Sequence, residues 1–433
     1  MRILFSIETD DKWILNAYLS FFRTVNNYSG FEVFATVNGC SKSWDFLYRY
    51  NIINYGDLHW NLVYSAERMS RFAKLDKSKL GKYALWSTPE NLLSNFYLWK
   101  TVYDYIEPDL VILWNGITDI RGVICEYLKQ KNKKFFYAEK GLLPNTFYID
   151  PKGILADSVI DKSFISAYSV SEAKLKDTER YIRNIISVGE SGWEQPSRKS
   201  VSEIKRLLGI TIHDKVIFFP GQVDSDVNII RYSPFNKVVE ALQLLLERIP
   251  PNLKVVFKVH PKADKKQLIH VNKLKEYHNN LILVDDINIY DLLEISDITV
   301  SINSTVALES LFSRKKAFLL GDSLLVNAGV LEKVEIENFS SILDCYLNNN
   351  FEQIFDWRYI LKFISVMKNK YYFSLSDNNF PKYAYDLLHT HTELLPLDFR
   401  LQFNGLYKDF GLLDKIISRF YYGMYSRGNN KEL

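Results

Sequence analysis

One pattern governs what this chain can become: short, apolar, β-rich runs that stop abruptly in a polar cluster. Lys215 to Phe219 runs into Pro220-Gly-Gln-Val-Asp-Ser-Asp226, Lys254 to Val259 into His260-Pro261, and Ile298 to Val300 into Ser301-Ile-Asn-Ser-Thr305. Runs of this length and composition read as buried strands. Strands that alternate with helical stretches build a parallel sheet covered on both faces. Such sheets bind ligands beyond the carboxyl ends of their strands. Three polar tips therefore predict one site built across one sheet.

The same rhythm fills the first half. Arg2 to Ile7 reads as a strand, Lys12 to Val25 as a helix and Phe31 to Val37 as a strand. Pro89 to Ile106 is a long helix, with Thr88 as its N-cap and proline at its first position. Asp109 to Trp114 and Lys134 to Ala138 are further strands, separated by the helical stretch Ile117 to Lys131. The polar segment 189–199, which carries Gly and Pro, breaks the pattern and reads as a linker. Beyond it the predicted order is helix 201–208, strand 215–219, helix 235–249, strand 254–259, helix 264–277, strand 280–284, helix 288–295, strand 297–300, helix 304–313 and strand 316–320, with helices onward to the C-terminus. A length of 433 residues calls for more than one domain. The expected fold class is α/β, with two Rossmann-like domains at 1–190 and 200–375 facing a central cleft, and C-terminal helices over 376–433. Glycosyltransferases of the B type, periplasmic-type binding proteins and epimerases share that architecture, so it does not by itself select a function.

Composition excludes some classes. A formal net charge of +3 lacks the strong basic excess of a nucleic-acid binder, so no nucleic-acid partner is expected. Cys40, Cys125 and Cys345 have neither disulfide-scaffold nor metal-site spacing, which suits a reducing cytoplasm. No run of about 18 apolar residues predicts a membrane span. Leu412, Leu413, Ile416, Ile417, Phe420, Tyr421 and Met424 fall on one helical stripe. Residues 411–433 are thus expected either to pack back on the first domain or to touch a membrane surface.

The polar tips offer chemistry, each beside a structural alternative. His260 at a strand end can donate to a phosphate, or simply cap a turn. Ser301, Asn303, Ser304 and Thr305 precede a helix, where hydroxyls and free N–H groups suit an anion, although one of them would serve as an ordinary N-cap. Asp224-Ser-Asp226 fits an Asp-x-Asp metal motif, a solvated acidic turn, or a carboxylate facing a sugar carbon; no second ligand set stands nearby in sequence. Glu139, after a first-half strand, is placed to take a proton from a hydroxyl across the cleft, or to pair with Lys140 on the surface. Asn115-Gly116 ends another strand on the same side.

Glu139-Lys-Gly-Leu-Leu-Pro, Asp150-Pro-Lys-Gly153, Pro220-Gly-Gln-Val-Asp-Ser-Asp226, Lys258-Val-His-Pro261 and the Ser301–Thr305 block together resemble the ordered motifs of the capsule polysaccharide biosynthesis family, over roughly residues 110 to 330. That family includes retaining β-Kdo glycosyltransferases. Bacterial CMP-sugar transferases such as sialyltransferases are similar, but often carry two acidic residues before the glycine, where this chain has Glu139 and then Lys140.

The resemblance implies a donor, CMP-β-Kdo, and a glycan acceptor, expected to be lipid-linked, in capsule or lipopolysaccharide O-antigen synthesis at the cytoplasmic face of the inner membrane. It implies Asp226 as nucleophile, Glu139 as acid/base, and Gln222 orienting the sugar or its carboxylate. His260, Lys258, Ser301, Asn303, Ser304 and Thr305 would hold the CMP. No metal and no cofactor beyond the donor are implied. Three alternatives stay open, the first an inverting sialyltransferase-like enzyme. The block Asp291 to Thr305 also resembles CDP-glycerol phosphotransferases, and a non-catalytic glycan-binding assembly protein would retain the fold.

Overall fold

The chain is seen in a computed structural model that describes residues 2–6, 32–37, 52–54, 89–189, 194–335 and 356–374, together with Trp13, Ile14, Ala17, Ser191 and Asn338. Most of the expected helix 12–25, the N-cap Thr88, Cys40 and Cys345, the C-terminal helices 376–433 and the apolar stripe 411–433 lie outside the described residues.

Among the described residues, the strands form two sheets. The first contains β1 (Arg2–Ser6), β2 (Glu32–Val37), β3 (Ile52–Asn54), β4 (Leu110–Trp114), β5 (Phe135–Lys140), β6 (Thr146–Asp150) and β12 (Phe373–Ser374) in the order β12-β6-β5-β4-β1-β2-β3. The second contains β7 (Val216–Pro220), β8 (Lys254–Lys258), β9 (Leu281–Val284), β10 (Ile298–Ser301) and β11 (Lys316–Leu319) in the order β11-β10-β7-β8-β9. All pairings within β1–β5 and within β7–β11 are parallel. Each set of five is therefore doubly wound, and the two halves are Rossmann-like. In each, the winding reverses once, between β1 and β4 and between β7 and β10. The crevice left there is where ligands bind in this architecture.

Residue choice explains the layers. β4 (Leu-Val-Ile-Leu-Trp) and β7 (Val-Ile-Phe-Phe-Pro) are buried at every position, as strands covered on both faces must be. The helix Val201–Leu208 starts on Ser200, whose hydroxyl accepts from Glu203 N–H, and ends on Gly209 at φ 63°. Leu92, Phe96, Trp99, Val123 and Ile124 pack with β4 in the first half, and Ile217, Phe219, Leu242, Val255 and Val300 pack together in the second.

Several elements differ from expectation. β5 runs on through Glu139 and Lys140 instead of stopping at Ala138, because β6 turns back antiparallel and pairs Glu139 with Tyr148 and Lys140 with Phe147. β6, bracketed by Pro144 and Pro151, is not among the expected strands. The helices Glu172–Val188 and Val227–Tyr232 are likewise additions to the expected order. Beyond the second sheet the chain returns: the helix Trp357–Val366 leads to β12, where Phe373 pairs with Phe147 in the first sheet.

Candidate functional site

The second-half site grows from how closely β7 and β8 end together. Gly221 N–H donates to Lys258 O at 2.8 Å, and a Cβ on Gly221 would lie 2.6 Å from that oxygen. Only glycine allows this approach, and it sets the 222–226 loop beside His260. Gln222, 8 % exposed, then reaches across the switch point. Its Nε2 donates 2.8 Å to Asn303 Oδ1, and its Oε1 accepts from Asn303 N–H. Asn303 Nδ2 in turn donates to Asn228 O at 2.8 Å. The loops after β7 and β10 are stitched together by this one pair of amides.

Asp224 and Asp226 divide their work. Asp224 Oδ1 accepts from Val238 N–H and from Gln267 Nε2, so it caps the helix Val238–Arg248 and ties it to Lys265–Tyr277. Asp226 is exposed and caps the short helix Val227–Tyr232, with Oδ1 accepting from Asn228 N–H at 2.8 Å. Among the described residues, no group of three or more His, Cys, Asp or Glu side chains is placed to hold a metal ion.

His260 is half-buried, and its Nδ1 accepts from Lys262 N–H at 3.0 Å. An accepting Nδ1 makes Nε2 the protonated nitrogen of a neutral ring. Burial lowers the pKa of His260, against an opposing pull from the Asp226 charge. The ring is thus a neutral donor at physiological pH. Lys258 is buried, and its ammonium donates to Asp285 O and Ile287 O, so what it holds is the turn after β9. Ser301 is fully buried on β10, and its hydroxyl makes no hydrogen bond. Ser304 Oγ accepts from Val306 N–H, and Thr305 is exposed at the start of Val306–Phe312.

The first half presents Glu139. Asn115, in the left-handed region at φ 61°, donates Nδ2 to Glu139 Oε2 at 2.9 Å, while Oε1 accepts from Lys140 N–H. The Lys140 ammonium lies 4.4 Å from the centroid of the Trp13 ring, so Lys140 is turned to an aromatic face instead of the carboxylate. Burial raises the pKa of Glu139, and the negative charge of Asp226 adds to the rise; the Lys140 N–H, Asn115 and Arg121 pull the other way. The Asp226 charge therefore acts on a carboxyl from the other half and on His260.

Two members escape the sequence reading. Arg121, in the first turn of the helix Asp119–Gln130, contributes positive potential at Glu139. Glu309, on the helix after the serine-rich block, is 7 % exposed. Its Oε1 accepts from Ser191 Oγ at 2.7 Å, its Oε2 is buried without a hydrogen bond, and burial pushes its pKa up to about 7. A lone carboxylate among the apolar residues of this short helix carries no clear sequence signal.

The fold is a doubly wound α/β arrangement in both halves, and the candidate site residues lie at strand ends of each. Residues 156–341 match the family described as capsule polysaccharide biosynthesis protein. Among curated proteins it is similar to Protein FixF of Sinorhizobium fredii (strain NBRC 101917 / NGR234), 24 % identical over 218 residues, which cover 49 % of this chain and 48 % of FixF. The chain thus spans about half the length of that relative. Among solved structures it is similar to the KpsC beta Kdo 2,7 transferase of Thermosulfurimonas dismutans, with 15 % identity, 88 % of this chain and 95 % of that one covered, and a TM-score of 0.47. It is similar also to the KpsC beta Kdo 2,4 transferase of the same organism (16 % identity, 53 % and 74 % covered, TM-score 0.41) and to a glycosyltransferase from Rickettsia africae ESF-5 (14 % identity, 90 % and 98 % covered, TM-score 0.39).

Proposed function

We propose that the protein is a retaining glycosyltransferase that moves Kdo from CMP-β-Kdo to a glycan acceptor in the synthesis of a bacterial surface polysaccharide. The observation that supports the reading is that the charge of the exposed Asp226, at a second-half strand end, acts both on Glu139, a half-buried carboxyl of the first half, and on His260, a neutral imidazole donor. The family match over residues 156–341 and the ordered motifs support the substrate class.

The chemistry follows from the roles. Kdo carries a carboxylate on a quaternary anomeric carbon, so its transition state is oxocarbenium-like. Asp226 attacks that carbon, a C–O bond forms to its carboxylate, and the bond to the phosphate oxygen breaks. CMP departs with the bonding electron pair, and His260 Nε2–H donates to its phosphate. A preorganised donor of this kind contributes about 3 kcal/mol to barrier lowering. The acceptor hydroxyl then attacks the same carbon, its proton passes to Glu139, and the Asp226 ester bond breaks. Two inversions leave the configuration retained. Gln222 supports this machinery through its bonds to Asn303. The reading calls for no metal and no cofactor beyond the donor. The acceptor would be lipid-linked at the cytoplasmic face of the inner membrane, with 411–433 making peripheral contact.

The test is Asp226→Asn with CMP-Kdo and a synthetic glycan acceptor. Turnover falls by about a thousandfold or more, while the melting shift induced by CMP persists. An intact-mass adduct of one Kdo on the wild-type protein, lost in the variant, identifies the covalent step. Near-normal turnover of Asp226→Asn removes Asp226 from the mechanism.

A further inference from the structure

We propose that the short helix Val227–Tyr232 is a latch between the two halves, and that Asp157 and Arg231 are positioning residues that set where Asp226 stands relative to Glu139. The inference rests on the roles just given to those two carboxylates.

By chain order the helix belongs to the second half, and three grips hold it there. Asp226 caps its start, Asn303 Nδ2 binds Asn228 O, and Asp322 N–H donates to Tyr232 O at 2.8 Å. Gly321 lies so near that a Cβ there would stand 2.7 Å from Tyr232 O. Ile229 is also buried in the second-half core, while other residues of the helix reach the first half. Val227 packs against the cluster that contains Ile154, Val111 and Leu113. Tyr232 Oη donates to Ile154 O at 3.0 Å and to Asp157 Oδ2 at 3.1 Å. Arg231 closes on that same oxygen with Nε at 2.8 Å and Nη2 at 2.7 Å.

The receiving turn is itself rigid. Leu155 is held at φ 52°, an uncommon conformation for a non-glycine residue, and its N–H donates to Tyr148 Oη. A Cβ on Gly153 would stand 2.6 Å from Asp157 Cβ, and Asn327 Nδ2 donates to Ala156 O. The latch therefore joins one fixed turn to one fixed helix, and Asp226 sits at the far end of that helix. Six residues of helix form a lever of about 9 Å.

An exposed ion pair of this kind adds little to stability. Side-chain exposures of 44 % and 52 % for Asp157 and Arg231 place it in that class. What its forked geometry supplies is alignment. An error of about 1 Å between reacting groups costs on the order of a hundredfold in rate.

The experiment pairs kinetics with amide hydrogen exchange on the full chain. Asp157→Ala and Arg231→Ala each lower kcat for Kdo transfer about ten- to a hundredfold, with the CMP-induced melting shift and the melting temperature nearly unchanged. Arg231→Lys, which keeps the charge but not the fork, falls between. The exchange Asp157→Arg with Arg231→Asp restores part of the loss. In the single variants, exchange at 227–232 quickens while the strands Val216–Phe219 and Val255–Phe257 stay protected. Wild-type kcat together with unchanged exchange at 227–232 overturns the latch. So does uniform loss of protection with a lowered melting temperature, which would mark an ordinary stability contact. If wild-type protein fails to transfer Kdo, the proposed substrate falls, but the exchange measurement still decides whether Asp157 and Arg231 hold the helix.

Discussion

Gln222 and Asn303 exchange two hydrogen bonds across the switch point of the second sheet, with Nε2 to Oδ1 at 2.8 Å and the backbone N–H of Asn303 to Oε1. The loop bearing Asp226 and the loop bearing the serine-rich block are thereby one mechanical piece.

Truncating Gln222 to alanine leaves the buried Asn303 amide half satisfied. Stability falls by about 1–3 kcal/mol, read as a lower urea midpoint at constant slope. The melting shift induced by CMP shrinks as well, since the loop positions drift. Gln222→Glu does not rescue, because a carboxylate cannot donate to Asn303 Oδ1.

Asn115 controls the protonation of Glu139. Its Nδ2–H favours the ionised carboxylate, so removing it raises a pKa that burial has already raised. Transfer needs Glu139 ionised to take the acceptor proton, so the acid limb of the rate profile moves to higher pH. Asn115→Gly is the variant of choice, because glycine accepts the φ of 61° without strain. An unmoved acid limb would show that another group governs it.

Glu309 makes stability pH-dependent in an unusual direction. Its pKa is pushed from an ordinary 4.5 up to about 7 in the folded protein. Between those values the folded state binds a proton that the unfolded state has released. Stability is therefore fully present below about pH 4.5 and declines as pH rises through about 7, by about 3 kcal/mol from this group. Glu309→Gln keeps an acceptor for Ser191 and removes the charge. It stabilises the protein at pH 8 and leaves it little changed at pH 5, as urea unfolding at the two values will read.

Two glycines separate close packing from backbone conformation. At Gly209 an added methyl would meet no atom within 4 Å, but the residue sits at φ 63°, so Gly209→Ala costs about 1 kcal/mol. Gly221 has backbone oxygen 2.6 Å from where its methyl would stand and no such φ, so Gly221→Ala forces β7 and β8 apart at their tips. It should cost about 3 kcal/mol and weaken CMP binding. Equal costs at the two positions would contradict the packing argument.

Much of this was legible in the residues. The runs before Gly221, His260 and Asn303 announce their strands, and Ser200 and Gly209 mark both ends of one helix. The long-range relations are not so announced. Val227–Tyr232 is too short to show periodicity, and it exists because Asp226 caps it and distant segments grip Tyr232. β6 lacks the parallel-strand signature because it is an antiparallel addition between two prolines. Lys258 looks like a phosphate ligand because a lysine beside His-Pro has the right charge; only burial against Asp285 O and Ile287 O shows where the charge goes. Glu309 is silent in sequence, since a single carboxylate in a helix ordinarily faces water.

The return of β12 to the first sheet has a consequence for how the molecule is made. Phe373 covers Phe147, and Tyr371 Oη donates to the buried Asp150 at 2.6 Å. A nascent polypeptide emerging from the ribosome reaches Asp150 long before those partners are synthesised. Until then β6 is a bare edge, open to pairing with any other extended segment. The halves are consequently not separable modules: a gene fragment encoding only the first would express an unfinished sheet, prone to aggregate until the missing strand is supplied.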